Sequence, residues 1–525
     1  MSIPNSTSIA CTDPATSEPL GEVAVDAPEA VRKAVRAARE AQKKWRKSSF
    51  AERRAVLRTM LTHLLDHADE LVETVVRDSG KTRENAMMGE IWPVAEKLRW
   101  TIARGEDHLR PERVSSGLFL HKKALIEFFP LGVVGVIAPW NYPLQNILGP
   151  AIPALFAGNG VVVKVSEAVA WSSSRFKRIF DEALEKAGYS PDLVQLVNGY
   201  GETGAALVSS GVDLLVFTGS MGNGRKVIAE SARSVTPVIL ELGGKDPMIV
   251  CDDAHLEEAV HAAMAGTFIA AGQNCLSSER ILVMEGIYEA FVTRVSELGR
   301  SLRQGPPREG VVDVGAIVSP LQVGVIESLV NDAVEKGARV LCGGARALAE
   351  KGQYFAPTVL VDVTPEMRIM REETFGPVMV ICKVKSEREA IELANATEYG
   401  LNSSVFSRDS SRAKRIADQL EAGGTCINGF GLTYMAQELP FGGIKGSGFG
   451  RLNGREGLRA CTTQKSVLAD RFPVHLPTKL YPVQPKDYAV TKHAIQLIYR
   501  RGLMARLRSL GALLRAYFGK AKGHA

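Results

Sequence analysis

Short runs of valine, isoleucine and leucine alternate with segments of helical periodicity from residue 133 onward. The apolar runs that we interpret as strands span residues 133–138, 161–165, 194–197, 214–217 and 238–240. The helical segments between them include residues 172–186 and 221–231. Continuous apolar strands that alternate with helices are typical of a parallel sheet covered on both faces. This part of the chain is therefore predicted to be α/β.

The alternation restarts after Gly244 and predicts a second α/β unit. Residues 248–250 and 281–284 have the pattern of strands, with a helix over about residues 255–270 between them. Further helices are predicted over residues 289–303, 321–336 and 387–395. The second unit would therefore repeat the layered arrangement of the first.

The residues before the first apolar run are predicted to be helical. Asp26 with Glu29 and Ser49 with Glu52 have the spacing of capping boxes, in which two residues at a helix start bind each other's backbone N–H groups. Gly80 is placed to end the second helix, because glycine readily adopts the left-handed conformation that follows a helix.

Length and composition indicate a large soluble protein. A chain of 525 residues with 45% hydrophobic and 23% charged residues is typical of two large globular domains. The seven cysteines are odd in number and form no C-x-x-C, which argues against a disulfide scaffold or a zinc site and favours a reducing compartment. The N-terminus lacks a signal-peptide pattern, and no run of 18 apolar residues occurs. We therefore expect a cytoplasmic protein without a transmembrane helix.

The net charge of +6 comes from the end of the chain. Residues 488–525 contain eight basic residues and no acid, so the rest of the chain is slightly acidic, unlike the basic surface of a nucleic-acid-binding protein. The same tail carries large apolar residues at helical spacing: Leu503, Leu507, Leu510, Leu514 and Phe518. Two interpretations remain open. The tail lies in the interface of an anionic membrane, or it packs on its own body or a neighbouring subunit.

Two glycine-flanked motifs supply candidate chemistry, Glu-Leu-Gly-Gly-Lys at residues 241–245 and Gly-Gln-Asn-Cys at residues 272–275. A cysteine thiolate can attack a carbonyl carbon, and a nearby carboxylate can deprotonate the water that releases the acyl group. Either motif alone would be weak, because a buried cysteine is commonly a small apolar residue. The glycine before Cys275 predicts a turn that exposes the thiol beside backbone amides, which would favour the thiolate.

Further segments match the same chemistry in order and spacing. They are Pro-Trp-Asn-Tyr-Pro at 139–143, Lys-Val-Ser-Glu at 164–167, Phe-Thr-Gly-Ser-Met-Gly-Asn-Gly-Arg at 217–225, Glu-Glu-Thr-Phe-Gly-Pro at 372–377 and Glu-Leu-Pro-Phe-Gly-Gly at 438–443. With these motifs the chain resembles the aldehyde dehydrogenase superfamily from about residue 23 to about residue 470.

The resemblance implies a domain organisation. It places a parallel-sheet cofactor-binding domain at residues 1–243, an α/β catalytic domain at 244–437, and a return to the cofactor domain at 438–470. A small strand extension, about residues 121–129 with 460–468, would join subunits into a homodimer or homotetramer. Residues 471–525 then form the basic amphipathic tail.

The resemblance also assigns catalytic roles. Cys275 would be the nucleophile, Glu241 the base for water, and Asn141 with the Cys275 backbone N–H the donors to the oxyanion. Taken alone, Asn141 is equally a turn residue between tryptophan and proline. Glu241 taken alone could be a loop carboxylate that anchors the adjacent Lys245, a role that is compatible with acting as the base.

The cofactor would be NAD or NADP, and no metal is required. No G-x-G-x-x-G sequence follows the first strand, so a standard dinucleotide turn is not predicted. The resemblance instead places the pyrophosphate near Gly219, Ser220 and Gly224. Lys164 and Glu167 would hold the adenosine ribose, and a carboxylate there favours NAD by repelling a 2′-phosphate. The remaining cofactor-binding positions are Pro139, Trp140, Leu242, Glu373 at the nicotinamide ribose, and Phe375 beside the ring.

The leading function is oxidation of an aldehyde to a carboxylic acid with NAD through a thiohemiacetal and a thioester on Cys275. A medium or long aliphatic or an aromatic aldehyde is preferred, with Tyr142, Leu276 and Phe430 as candidate pocket residues. A CoA-acylating enzyme is an alternative, which the presence of Glu241 disfavours. A catalytically inactive structural or interaction protein on the same fold is another, which the three candidate catalytic residues together disfavour.

Overall fold

The computed structural model describes residues 7–347, 351–473 and 480–518 of the chain. By spatial contact the chain forms two compact units, residues 1–112 with 126–466 and residues 113–125 with 467–525. Among the described residues, no helix is long and apolar enough to cross a bilayer. The first, larger unit contains the two large sheets, and the predicted α/β class is confirmed.

The first sheet has six strands, five of them parallel. In spatial order they are Gly448–Phe449, Val238–Glu241, Leu214–Thr218, Val133–Ile137, Gly160–Val165 and Val194–Asn198, with the first antiparallel to its neighbour. All five runs predicted as strands before residue 244 are strands of this sheet. The strand order brings residues from beyond position 437 back onto the first sheet.

The second sheet has seven strands. In spatial order they are Arg339–Cys342, Thr358–Val361, Val378–Val384, Ser278–Met284, Asp246–Val250, Asn402–Phe406 and Gly424–Ile427, of which only the first is antiparallel to its neighbour. Residues 248–250 and 281–284 are strands, as predicted. The division of the larger unit into two domains at residue 243 stays a prediction.

Helices cover the sheets. The α-helices of the larger unit are Pro28–Trp45, Phe50–Asp66, Ala68–Ser79, Arg83–Ala86, Trp92–Leu109, Pro143–Phe156, Ser173–Lys186, Gly201–Val208, Met221–Ser231, Leu256–Phe268, Glu285–Ser301, Pro320–Glu335, Glu387–Asn395, Ser410–Ala417, Leu432–Met435 and Gly454–Ala460. A π-helical turn spans Met87–Ile91, and single 3₁₀ turns are Glu167–Ser172, Pro191–Leu193, Ile269–Gly272, Arg368–Met370 and Lys445–Ser447. The helices predicted between the strands are therefore present, with ends shifted by a few residues.

Alternating side chains of the first sheet enter different cores. Val134 and Val136 pack into one apolar cluster, whereas Val133 packs into another on the opposite face. The second sheet has its own apolar cluster, which includes Met248 and Ile281. A strand with both faces buried is apolar at every position, which explains why its sequence is a continuous apolar run.

The remaining strands of the described residues form two small sheets. Ser8–Thr12 pairs with Pro19–Ala24, and a three-stranded sheet has Thr462–Asp470 at one edge, Lys122–Pro130 in the centre and Glu112–Val114 at the other edge. The extension predicted at 121–129 and 460–468 is therefore built of strands. Its role in joining subunits stays a prediction.

Of the predictions for the ends of the N-terminal helices, the capping box at Ser49 is confirmed, whereas the cap at Asp26 and the position of Gly80 are wrong. Ser49 and Glu52 form a complete capping box. Asp26 does not cap a helix, because its carboxylate accepts the backbone N–H of Asn198 at 2.8 Å, and the first helix begins at Pro28 without a side-chain cap. Gly80 is left-handed, but it ends the third helix rather than the second, since the helical run is interrupted at His67.

Candidate active site

The first sheet brings its candidate motifs to one edge. Ile137 pairs with Lys164 on one neighbouring strand and with Phe217 on the other, and Thr218 pairs with Glu241. Because the strands are parallel, the loops that follow them leave from the same edge, where parallel α/β sheets bind ligands. A cavity of about 510 Å³ opens there. Ten predicted site residues line it: Pro139, Trp140, Asn141, Gly219, Ser220, Glu241, Leu242, Cys275, Glu373 and Phe375.

A strained turn presents Cys275 to the cavity. Ala270, Ala271 and Gly272 have φ values of 51°, 56° and 73°, so the predicted helix over 255–270 ends earlier, at Phe268. Left-handed conformation in consecutive non-glycine residues is costly and persists only where the surroundings enforce it. At Gly272 only glycine fits, because a Cβ would lie 2.0 Å from the carbonyl oxygen of Gly376.

Two side chains, the partly buried Asn85 and the buried Gln273, hold this turn. Asn85 Oδ1 accepts the backbone N–H of Ala270 at 2.7 Å. The Gln273 amide donates to the carbonyls of Ala270 and Ala316 at 3.0 and 3.2 Å and accepts the N–H of Val318 at 2.9 Å. Gln273 therefore ties the turn to a distant segment. Its position beside Cys275 was visible in the sequence, but its role was not.

The partly buried Cys275 and the buried Glu241 form an acidic pair. Burial raises the pKa of Glu241 to about 7, and its contact with the Cys275 thiol opposes that rise. Burial, and then the charge of Glu241, raises the pKa of the Cys275 thiol well above its ordinary value. The prediction that the turn itself favours the thiolate is therefore wrong. The structure places a neutral thiol beside a carboxyl group of near-neutral pKa, and Glu241 Oε1 is buried without a hydrogen-bond partner among the described residues.

Asn141 is oriented by a neighbour that the sequence did not single out. Its Oδ1 accepts a hydrogen bond from Asn146 Nδ2 at 3.0 Å, and its Nδ2 donates to the carbonyl of Gln273 at 3.2 Å. Because the oxygen is occupied by Asn146, the NH₂ group faces the Cys275 segment. Asn146 lies in the first turn of the helix Pro143–Phe156, and no local motif marks it.

Lys245 does not pair with Glu241, so that alternative role for Glu241 is wrong. The Lys245 ammonium forms a buried ion pair with Glu279 and donates to Thr374 Oγ1 at 3.1 Å. The Glu279 carboxylate also accepts the backbone N–H groups of Thr374 and Phe375 at 2.8 and 2.9 Å. Through these buried contacts, Lys245 and Glu279 join the motif at 241–245 to the motif at 372–377.

Glu373 makes a second connection between the same motifs. Its carboxylate accepts the N–H of Gly244 at 3.0 Å. A Cβ at Gly243 would lie 2.4 Å from Glu373 Oε2, so this approach requires glycine. Burial, followed by the charge of Glu279, raises the pKa of Glu373 to about 8. The ring of Phe375 meets Trp140 edge to face, with ring centres 5.4 Å apart.

The remaining cofactor candidates lie along the same edge. Ser220 caps the helix Met221–Ser231 and accepts the N–H of Asn223 at 3.4 Å, so that the free N–H groups of this helix face the cavity edge. Lys164 is buried and pairs with the half-exposed Glu167 at 3.1 Å. Lys164, Glu167 and Gly224 do not line the cavity itself. This donor set, a helix N-terminus followed by a lysine–glutamate pair, fits a dinucleotide with its phosphates at the helix and its ribose at the pair.

The opposite side of the cavity is apolar and aromatic. Tyr142, Leu276 and Phe430, the three predicted pocket residues, all line it. Sequence reasoning missed the other members of this wall: Met88, Trp92, Leu432, Tyr434, Met435, Phe441 and Leu452. They come from separate helices and loops, so no local pattern identifies them. Glu241 and Glu373 are the charged members of the described lining.

A buried ion pair supports this wall from behind. Lys81 and Glu90 are joined at 2.6 Å and are almost fully buried. Lys81 Nζ lies 3.8 Å from the centre of the Tyr142 ring, and Glu90 accepts the N–H of Gln145 at 2.8 Å. The pair therefore fixes the start of the helix that follows Asn141. Glu90 lies in the π-helical turn, a feature common near functional sites.

Comparisons with known proteins agree with this geometry. Residues 3–467 match the model of the "Aldehyde dehydrogenase family". An aldehyde dehydrogenase-like protein of Schizosaccharomyces pombe is 41% identical over 504 residues, covering 95% of this chain and 96% of its own length. The 4,4'-diapolycopene aldehyde oxidase of a Methylomonas species is 37% identical, covering 94% of this chain and 92% of its own length.

Solved structures give the same result. An NADP-dependent enzyme of E. coli is 33% identical with a TM-score of 0.84, covering 90% of this chain and 96% of that chain. An aldehyde dehydrogenase of Mycobacterium tuberculosis complexed with NAD+ is 32% identical with a TM-score of 0.84, covering 91% of this chain and 96% of that chain. The fold is thus shared over nearly the whole length. The chain belongs to the aldehyde dehydrogenase family and is an NAD(P)-dependent enzyme.

Proposed function

We propose that this enzyme oxidises an apolar aldehyde to a carboxylic acid with NAD, using Cys275 as nucleophile, Glu241 as base and Asn141 as oxyanion donor. The observation that carries the proposal is the convergence of these three side chains on one cavity. The unpartnered oxygen of Glu241 supports it further, because a buried carboxylate oxygen without a partner is costly unless a ligand or water meets it.

The reaction begins with the thiol and carboxyl pair. Glu241, with a pKa of about 7, accepts the thiol proton while the Cys275 sulfur attacks the carbonyl carbon. The thiohemiacetal oxyanion is then held by the Asn141 amide and the Cys275 backbone N–H. Since Asn146 fixes the Asn141 amide, this donor needs no reorganisation during the reaction.

The second half of the reaction releases the acid. When bound, the nicotinamide cofactor supplies the oxidant by accepting two electrons as hydride. Cys275 then carries the acyl group as a thioester, and Glu241 deprotonates the water that attacks it. The carbon–sulfur bond breaks, the acid leaves, and the thiol regains a proton. The net change is aldehyde, NAD⁺ and water to carboxylate, NADH and two protons.

We propose NAD rather than NADP as the preferred cofactor. The Glu167 carboxylate lies beside Lys164 at the end of its strand, where a negative charge would repel a 2′-phosphate and accept a hydrogen bond from a free 2′-hydroxyl. Relatives of similar identity include both NAD-bound and NADP-dependent enzymes, so the pair itself carries this inference.

The apolar wall favours an aldehyde with an aliphatic chain of medium or greater length, or an aromatic group. Trp92, Leu432 and Met88 line the cavity and are about half exposed, which would extend apolar contact beyond the reacting carbon. The described charges in the lining are carboxylates, which disfavour an acidic substrate. The similarity to a 4,4'-diapolycopene aldehyde oxidase is consistent with this preference.

We also propose a cytoplasmic homodimer or homotetramer. The strand Thr462–Asp470 lies at the edge of the three-stranded sheet, and an edge strand is a surface beside which a strand of another copy can pair. Sedimentation velocity of the purified chain tests the oligomeric state directly. A monomer at micromolar concentration would contradict it.

The function is tested by adding a series of unbranched aldehydes of increasing length and benzaldehyde to the enzyme with NAD. We expect NADH and the free acid in equal amounts, with kcat/KM rising with chain length. Formation of acyl-CoA only when CoA is present would support the acylating alternative. Cofactor binding without NADH from any aldehyde would support an inactive protein.

A further inference from the structure

The end of the chain folds as a pair of packed helices, Asp487–Tyr499 and Leu503–Phe518. Lys486 Nζ lies 5.1 Å from the centre of the Tyr517 ring, so the start of the first helix meets the end of the second. We call these residues, 487–518, the tail hairpin. It belongs to the smaller unit of the chain.

Small residues form the packed face of the second helix. Ser509 is 2% exposed, and its hydroxyl donates to the carbonyl of Ala505 at 2.9 Å. The partly or fully buried small residues recur at the spacing of one helical face: Ala505, Ser509, Ala512 and Ala516. Small side chains allow two helices to approach closely. The packed face of this helix is therefore made mainly of small residues, together with Leu513, which is also partly buried.

The large apolar residues form the opposite, exposed face. We call this set the leucine face: Leu503, Leu507, Leu510, Leu514 and Phe518, which are 74%, 51%, 37%, 48% and 75% exposed. A helix of a globular protein normally buries such residues and exposes small or polar ones. In this helix the arrangement is reversed. The leucine face therefore has no role in forming the hairpin and is available to another apolar phase or surface.

The charge around the leucine face indicates which surface that is. Arg506, Arg508 and Arg515 are exposed along the same helix, and the sequence contains no acid after Asp487. Three tyrosines of the hairpin are also exposed, at positions 488, 499 and 517. Leucines at the centre, arginines beside them and tyrosines at the margins are the arrangement of a helix that lies in a membrane interface.

We propose that the tail hairpin is a peripheral anchor that binds the surface of a bilayer containing anionic lipid. The leucine face enters the boundary of the acyl chains, and the arginines contact the lipid phosphates. This inference does not depend on the oxidation chemistry. It adds a site of action, since an apolar aldehyde partitions into the same bilayer.

The test uses the full-length enzyme and sedimented vesicles of phosphatidylcholine alone or mixed with phosphatidylserine. We expect binding to the mixed vesicles, weaker binding to phosphatidylcholine alone, and loss of binding as salt is raised. The double variant Leu507→Asp with Leu514→Asp should lower the bound fraction at least tenfold. Replacing Arg506, Arg508 and Arg515 by glutamine removes three of the eight basic residues of the tail and should weaken the preference for anionic lipid, with binding to both vesicle types retained.

The matched control is Leu65→Asp with Val334→Asp. These residues are 56% and 44% exposed on helices of the larger unit, so this variant adds the same charge at similar exposure away from the hairpin. It should bind vesicles like the parent enzyme. Oxidation of a water-soluble aldehyde should be unchanged in every variant, which verifies folding.

Two outcomes would overturn the proposal. The first is absence of vesicle binding by the parent enzyme, and the second is equal binding by the parent and the Leu507→Asp, Leu514→Asp variant. If those two substitutions instead lower the sedimenting mass of the enzyme without vesicles, a second copy of this chain covers the leucine face.

Discussion

Glu241→Gln separates the two halves of the proposed reaction. The substitution keeps the shape of the side chain but removes the group that accepts a proton from water. Cys275 can still be acylated in the variant, because loss of the Glu241 charge lowers the pKa of the thiol and its proton can pass to water. Hydrolysis of the thioester, in contrast, loses its base. We expect a burst of NADH no larger than the enzyme concentration, followed by a steady state slowed by at least ~10²-fold, the usual scale for general-base catalysis.

The structure also predicts how the parent enzyme depends on pH. With a pKa of about 7, Glu241 is about 10% ionised at pH 6 and about 90% ionised at pH 8. If deacylation limits turnover, kcat should therefore rise about tenfold over that interval. The variant should lose this inflection, because glutamine does not titrate.

The same pKa has a consequence for stability. A carboxyl group whose pKa is raised on folding from 4.5 to about 7 destabilises the folded state as pH rises through that interval, because the unfolded chain ionises first. The rise corresponds to about 3 kcal/mol at most. Glu241→Gln should therefore raise the unfolding temperature relative to the parent enzyme at pH 8 and leave it unchanged below about pH 3.5, where the carboxyl group is protonated in both the folded and the unfolded state.

Stopped-flow absorbance of NADH, steady-state rates and thermal unfolding test these statements together. Glu335→Gln, on an exposed helix surface, is the matched control and should behave like the parent in all three. Normal steady-state turnover of Glu241→Gln would refute the assignment of the base. Loss of the burst as well would show that Glu241 is needed to generate the thiolate, as its contact with the thiol allows.

Four further substitutions test the rest of the site. Cys275→Ala should bind NAD in equilibrium titrations yet form no NADH from any aldehyde; measurable oxidation would contradict its role. Asn141→Ala should lower kcat by ~10²–10³ with NAD affinity retained, the usual cost of one lost oxyanion donor; weaker NAD binding with unchanged kcat would point to a structural role. Glu167→Gln should narrow the ratio of kcat/KM for NAD over NADP, and an NADP preference in the parent enzyme would refute that prediction. Gly272→Ala should abolish activity and lower the unfolding temperature, because its Cβ meets the Gly376 carbonyl at 2.0 Å, whereas Gly324→Ala, which faces open space in a helix, should do neither.

The strands were predictable because burial on both faces leaves an unmistakable pattern. Residues 161–165 are apolar except for Lys164, and each of the apolar ones is buried. Helix ends were less predictable, because they depend on partners elsewhere in the chain. Asp26 has the spacing of a helix cap, but its carboxylate instead accepts a hydrogen bond from the backbone N–H of Asn198. The helix predicted to reach residue 270 ends at Phe268, since the turn before Cys275 is forced into a left-handed conformation.

The candidate chemistry was predictable for a different reason. Cys275, Glu241 and Asn141 each lie in a short motif with glycine or proline neighbours, so their sequence context is distinctive. Asn146 and Glu279 have no such context. Asn146 acts through one hydrogen bond to Asn141, and Glu279 acts through contacts with Lys245, Thr374 and Phe375 that only the fold brings together. Local sequence therefore reveals the groups that react more readily than the groups that orient them.

The electrostatics of the site could not be predicted from motifs at all. A turn rich in backbone amides suggests a thiolate, yet the pKa of Cys275 is raised, because burial and the nearby Glu241 outweigh the amides. Glu373 is partly buried, and loss of hydration raises its pKa to about 8. Desolvation depends on how completely the surrounding chain excludes water, which is a property of the assembled fold. The result is a site in which two carboxyl groups of near-neutral pKa, Glu241 and Glu373, lie near a thiol whose pKa is raised. Because the thiol has the higher pKa, transfer of its proton to Glu241 is uphill at rest, and the proton leaves as the bond between sulfur and the carbonyl carbon forms.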